Sequence, residues 1–446
     1  VPKKGDITDC SNYRHISLLS IFDKLFEKIV YSKLIKYLDK FNILFKHQYG
    51  FRSNHSTTFA LCEITDYIYK SLDQNYYVLG NYLDISKAFD TVSHHILLDK
   101  LHHYGIRGTT HRWFQTYLSN RKQFVEINQV KSELKSINIG VPQGSSLGPL
   151  LFLIYINDLP AASKNGEFRL FADDTNNFVR SKNYNELKHL AENELANIQN
   201  WMNANSLCIN LSKSNFTIFS PQSRRLNNSI NSLSVGSNEI KRATSIKYLG
   251  MLIDDNLNWK EHIKSIQEKL TKYCGLFYKI RSDIPKPILK NIYFALIHST
   301  LQYGIEIYAN TKKSYLNDLQ ILNNRILRIL QFKNIRTKII ELYSTYNTLP
   351  ITHLHDYKLS LLAFKFLYHP HILPSSFCNY FTLNLTMHLY FTRTYSNIHI
   401  TSCRKQLGKR AISHKAAALW NNLPTKLKSP NSIKTFKKNM YNYFLD

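Results

Sequence analysis

Apolar residues recur at three- and four-residue steps through "SIFDKLFEKIVYSKLIKYLDKF" (20–41). Phe22, Leu25, Phe26, Ile29, Leu34, Tyr37 and Leu38 fall between charged positions, and this spacing predicts an amphipathic helix. A second helix is predicted over roughly 56–72. The pattern then changes: "YYVLGNYLDI" has the length and the aromatic and branched content of a buried strand ending at Asp84, with Val78, Gly80, Tyr82 and Asp84 on one face. In "DTVSHHILLDKLHHYG", Val92, Ile96, Leu97 and Leu101 share a helical face, with Asp90 as N-cap and Gly105 as the stop. The His94-His95 and His102-His103 pairs fall on its polar, solvated side.

The next stretch, "QFVEINQVKSELKSINIGVPQGSSLGPLLFLIYINDLP", predicts a hairpin, a Gly/Pro loop and a helix opened by Pro149. "FRLFADDTNNFV" predicts strand, tight turn and strand, "NELKHLAENELANIQNWMNAN" a helix, and "LCINLSKSNFTIFS" a further strand pair. From about 258 to 335 the pattern is helical almost throughout.

Composition narrows the partners. A hydrophobic content of 43% with 13% aromatics over 446 residues excludes a disordered chain and allows two or three domains with their own cores. Lys and Arg number 58 against 31 Asp and Glu, a net charge of +27, which points to a polyanion, nucleic acid first. No apolar run is long enough to span a bilayer; "PLLFLIYIN" comes nearest. Cys10, Cys62, Cys208, Cys274, Cys378 and Cys403 lack zinc-knuckle spacing and are expected as buried thiols in a reducing compartment. The opening "VPKKGD", without Met, is expected to belong to something longer.

The chemistry concentrates in two places. Asp173 and Asp174 stand side by side in "FADDT", where they either top a solvated turn or share a cation that offsets their repulsion. If the strand ending at Asp84 and this hairpin are neighbours in one antiparallel sheet, three carboxylates meet. Strands about 4.8 Å apart suit two magnesium ions about 3.5 to 4 Å from each other, an arrangement for in-line displacement at phosphorus. Alternation of faces along a strand leaves Asp174 the more peripheral of the two. The loop before the Pro149 helix gathers Gly140, Gly144 and Gly148, three of the chain's 14 glycines, as a close approach of backbone to ligand requires.

In order and spacing, "YLDISKAFDTVSHHILLDKL", "GVPQGSSLGPLLFLIYINDLP", "FADD", "INLSKSN" and "IKYLGMLIDDNLNW" resemble the successive motifs of a non-LTR (LINE-type) retrotransposon reverse transcriptase, jockey- and CR1-like elements most of all. "KKGDITDCSNYRHISLLS" and "QYGFRSNHSTT" before them, and "AALWNNLPTKLKSP" after, extend the resemblance over essentially the whole chain. It implies an α+β right-hand polymerase fold: fingers and an antiparallel-sheet palm over 1–235, palm end and helical thumb over 236–335, and a basic, nucleic-acid-binding extension over 336–446.

The resemblance implies that Asp84, Asp173 and Asp174 hold two Mg2+ ions, with Mn2+ as a substitute. Phe89 gates the sugar, Gln143 and Gly144 lie against the incoming nucleotide and template, and Lys213 stands near the leaving pyrophosphate. Arg14 and Arg52 hold triphosphate or template backbone, although His15, where the family commonly has Pro, loosens the turn after Arg14. The implied partners are template RNA, primer or target DNA, deoxynucleoside triphosphates and an endonuclease, with no membrane. The implied setting is intracellular, nuclear at integration after a cytoplasmic ribonucleoprotein stage. Ribonuclease H chemistry is not expected, because residues 336–446 carry only Glu341, Asp356 and Asp446 as acids. An inactive remnant that still binds nucleic acid, and a group II intron-type or telomerase-like polymerase, are the alternatives.

Overall fold

The computed structural model describes residue 6 and residues 12–13, 16–127, 129–221, 230–387, 394–428 and 432–445. Its centre is a six-stranded sheet built from β1 (Tyr77–Leu83), β2 (Glu167–Phe171), β3 (Asp174–Ser181), β4 (Asn215–Phe219), β5 (Ser232–Val235) and β6 (Asn238–Arg242), in the order β2-β3-β1-β4-β6-β5. Every residue of β1 is buried, because it has a strand on each side and a packed layer on each face.

Alternation along β1 divides the interior in two. Leu79 and Leu83, with Val179, Phe216 and Ile218, pack on the helices His94–His103, Gly148–Ile156 and Tyr184–Ala204. Val78 and Tyr82, with Phe178 and Phe219, pack on the helix Thr57–Asp73 and the hairpin Ser245–Tyr248/Met251–Asp254. This second core runs on through the helices Lys260–Ile280, Lys313–Gln331 and Ile351–Tyr368 to Trp420, Phe436 and Met440.

The C-terminal region is therefore helical and docked. Asp66, on the helix Thr57–Asp73, accepts the amides of Ile412 (2.5 Å) and Ser413 (3.0 Å), the first of the helix Ile412–Asn422. Asp73 accepts those of Arg404 (3.0 Å) and Lys405 (2.7 Å). Phe364 stacks on Phe436 at 3.9 Å. Among the described residues no helix is long and apolar enough to cross a membrane.

Several expectations need correction. The first helix, Ile21–Lys40, is capped by Ser20, but Phe22, Leu25, Phe26 and Ile29 are exposed, and Glu27 is buried with Leu34 and Leu38. Ser93, not Asp90, precedes the helix His94–His103, because Asp90 is engaged by Gln143. "LCINLSKSNFTIFS" forms one strand, β4, and Ile209 makes only an isolated bridge to Ile85. Cys62 and Cys274 are buried, whereas Cys208 and Cys378 are exposed. His94 is half-buried, its Nε2 2.8 Å from the carbonyl of Gly140.

Candidate functional site: the acidic ends of the central strands

Sheet register decides which acids meet. Leu83 lies opposite Thr175, so Asp84, the next residue along, reaches the level of Asp174. Phe171 pairs with Asp174, which leaves Ala172 and Asp173 as a two-residue turn. Asp173 is thus in the turn, and Asp174 is the first residue of β3.

Asp174 lies close to the other two carboxylates rather than apart from them. Burial first, then the charges of Asp173 and Asp84, push its pKa up to about 6. The same neighbourhood holds Tyr248, whose phenol is kept neutral by burial and then by Asp174. Its ring meets that of Tyr82 at 5.7 Å.

Asp84 is fixed by the loop that precedes β4. Its amide donates to Ser214 Oγ (3.1 Å), its carbonyl accepts from the amide of Asn210 (2.8 Å), and its Oδ2 accepts from Asn210 Nδ2 (2.9 Å). Lys213 Nζ stands 3.6 Å from the same oxygen and is largely exposed.

The turn itself is held from outside the sheet. Ala172 adopts φ +55°, unusual for a residue with a side chain. Its amide donates to Gln48 Oε1 at 2.9 Å, and the amide of Gly50 donates to the same oxygen at 2.9 Å. The chain His47–Tyr49 runs beside β2: Leu170 donates to the carbonyl of His47 (3.0 Å) and accepts from the amide of Tyr49 (2.8 Å). A Cβ on Gly50 would lie 2.4 Å from the amide nitrogen of Ala172. Glu63 ties the pieces together, meeting His47 Nδ1 (2.6 Å) and Arg169 Nε (3.0 Å) and accepting from the Tyr49 hydroxyl. The signal for Gln48 and Gly50 lay in "QYGFR", but nothing local to that stretch shows what it clamps.

The Gly-rich loop is zipped to the segment that follows Asp84. Gly140 donates to the carbonyl of Val92 (2.7 Å), Val141 to that of Phe89 (2.8 Å), and Gln143 Nε2 to Asp90 Oδ1 (2.9 Å). Gly144 has φ +111°, and a Cβ there would sit 3.0 Å from the carbonyl oxygen of Ser17. Buried Glu27 accepts from the Tyr117 hydroxyl (2.6 Å) and the amide of Ser146 (2.7 Å), joining the first helix to this loop. Phe89 is half-buried, stacked on Phe152 at 4.7 Å and edge-on to Phe51 at 6.2 Å. Arg52 turns inward, its Nη1 donating to the carbonyl of Phe45 (2.9 Å), and burial lowers its pKa. Arg14 and His15 lie outside the described residues.

Among the described residues no group of three or more His, Cys, Asp or Glu side chains is arranged to hold a metal. The donor chemistry nevertheless fits one: carboxylate oxygens suit hard divalent cations, and the burial and mutual repulsion that raise Asp174 are what such a cation offsets.

A family model described as reverse transcriptase (RNA-dependent DNA polymerase) matches residues 1–253. The RNA-directed DNA polymerase from mobile element jockey of Drosophila melanogaster is 29% identical over 381 residues, which cover 83% of this chain and 40% of the jockey protein. The probable RNA-directed DNA polymerase from transposon X-element of the same fly is 28% identical over 333 residues, 72% of this chain and 36% of that one. The chain thus spans well under half the length of these relatives. Among solved structures, apo telomerase from Candida tropicalis overlaps 72% of this chain and 61% of its own at 13% identity, with a TM-score of 0.36.

Proposed function

Because this chain belongs to the reverse transcriptase (RNA-dependent DNA polymerase) family, we propose that it copies RNA into DNA, as the polymerase of a jockey-like non-LTR retrotransposon. The observation that carries this reading is the meeting of Asp84 with Asp173 and Asp174 at one end of the central strands, where burial and then repulsion raise Asp174.

Asp84, Asp173 and Asp174 would hold the two magnesium ions, or manganese, that activate an attacking 3′-hydroxyl and steady a leaving pyrophosphate. Asn210 and Ser214 orient Asp84 for this task. Lys213, exposed beside Asp84, is placed to offer a cation to the departing phosphates. Phe89, backed by Phe152, presents the flat surface that would exclude a 2′-hydroxyl. Gln143 and Gly144 offer an ordered loop to the incoming nucleotide and template. Arg52 would contact triphosphate or template through donors other than Nη1, the role that the resemblance gives Arg14 as well. A nicked target DNA as primer, an endonuclease to nick it, and a nuclear step of integration after a cytoplasmic ribonucleoprotein complete the proposal. So does the division into fingers and palm (1–235), thumb (236–335) and basic extension (336–446).

Primer extension on poly(rA)/oligo(dT) with magnesium tests it. Extension by the parent, lost in Asp173→Asn while RNA binding persists, supports the reading. A parent that binds RNA and extends nothing is an inactive remnant.

A further inference from the structure

The segment that clamps the Ala172–Asp173 turn is itself held from the far end of the chain. Residues 371–377, in the C-terminal region, seat on it and on the residues that follow it. Ser376 Oγ lies 2.8 Å from the Tyr49 hydroxyl, across 327 positions of chain. Asn54 Nδ2 donates to the carbonyl of His371 at 3.1 Å, and the ring of Phe377, 1% exposed, meets that of Phe59 at 5.0 Å.

Chemistry fixes the direction of the first contact. The Tyr49 hydroxyl has one hydrogen and donates it to Glu63, since a carboxylate only accepts. Ser376 is therefore the donor, and the phenolic oxygen accepts from it.

Tyr49 is a buried strut. Its amide donates to the carbonyl of Leu170 at 2.8 Å, near the end of β2, and its hydroxyl ends between Glu63 and Ser376. On either side of it along the chain stand Gln48, whose Oε1 takes the amides of Ala172 and Gly50, and Gly50, which has no room for a Cβ beside Ala172. A close-packed interior transmits a shift rather than absorbing it. Movement at the hydroxyl end of this rigid ring therefore reaches the backbone that bounds the turn carrying Asp173.

We infer that Ser376 is a positioning residue for nucleotide transfer: its hydroxyl holds Tyr49 and, through the Gln48–Gly50 backbone, the turn that presents Asp173. The C-terminal region thus supports the acidic site from behind, apart from any contact with nucleic acid. The catalytic consequence rests on the polymerase reading; the coupling of Ser376 to the turn does not.

Two measurements on the full chain test this. Hydrogen exchange over peptides spanning 168–176 reports the turn without synthesis. There Ser376→Ala should speed exchange at least about threefold, the worth of one hydrogen bond, while β4 keeps the parent's rate. Ser376→Thr, which keeps a hydroxyl, should stay near the parent. In single-nucleotide incorporation on a preannealed heteroduplex, Ser376→Ala should lower kcat about threefold to tenfold, with KM within about twofold and the melting temperature kept. In a Gln48→Leu background the same change should lower kcat no further, since the path to the turn is already cut. Unchanged exchange at the turn in Ser376→Ala overturns the inference, as does an unchanged kcat in an active parent's Ser376→Ala variant, or a full second loss in the Gln48→Leu background. A parent that extends no primer counts against the polymerase reading alone, because exchange still decides the coupling.

Discussion

Gln48 Oε1 accepts the amide of Ala172 at 2.9 Å, across 124 positions of chain, and so holds the turn that carries Asp173. Gln48 is 2% exposed, and replacing it by Leu leaves two buried amides, Ala172 and Gly50, without their acceptor. An unsatisfied buried group costs about 1–3 kcal/mol, and the strained turn would relax. For Gln48→Leu we expect single-nucleotide incorporation with kcat lowered at least about tenfold, roughly 1.4 kcal/mol, and KM within about twofold. Gln48→Glu, which keeps an acceptor, should recover most of the rate. Equal losses in the two variants would remove the clamp from the account. Gly50→Ala should reproduce the defect, since its Cβ would press on backbone, which cannot swing aside.

Phe89 is both packed and poised. Its stack on Phe152 means that Phe89→Val should lower stability by about 1–3 kcal/mol. If the ring also excludes the 2′-hydroxyl, incorporation of ATP relative to dATP should rise at least about tenfold. Melting temperature and the two incorporation rates, measured on the same preparations, separate these roles; an unchanged sugar preference leaves Phe89 as packing alone.

The two amides on Asp66 make it a cap supplied across the fold. Asp66→Ala is expected to cost about 2–4 kcal/mol, the loss of charge-assisted bonds at a buried helix start. Proteolysis should then find the 404–422 segment first. A variant that melts like the parent would mean that this contact is dispensable.

Acid should weaken the fold through His262. Burial depresses its pKa to about 4 from an ordinary 6.5, and its Nδ1 accepts from the amide of Leu252 at 3.4 Å. Between those values the unfolded chain binds the proton and the folded one does not. The contribution is therefore full above pH 6.5 and disappears as pH falls toward 4, on the order of 3 kcal/mol at most. Denaturant midpoints from pH 8 to 4.5 should fall less steeply in His262→Phe than in the parent. Parallel profiles would contradict the assignment.

The elements were legible because their causes are local. Length and aromatic and branched content mark β1, a helical period marks 57–73 and 184–204, and the acids stand in short stretches whose order along the chain is itself the family's signature. Other outcomes are set by partners distant in sequence, and no local pattern contains them. The apolar stripe of 21–40 could not show that only Leu34 and Leu38 would be buried and that Glu27 would go in with them, because that depends on Tyr117 and Ser146 reaching its carboxylate. Alternation made Asp174 peripheral, whereas sheet register put it level with Asp84 and near enough to the buried Tyr248 to act on its phenol, with its own carboxyl raised. The resemblance implied a basic extension over 336–446 but could not show that Asp66 and Asp73 hold the 404–413 segment to the helix 57–73. Side-chain periodicity records which face of an element is apolar. Which element covers that face, and which buried polar atom finds a partner there, is decided only when segments far apart in the chain pack together.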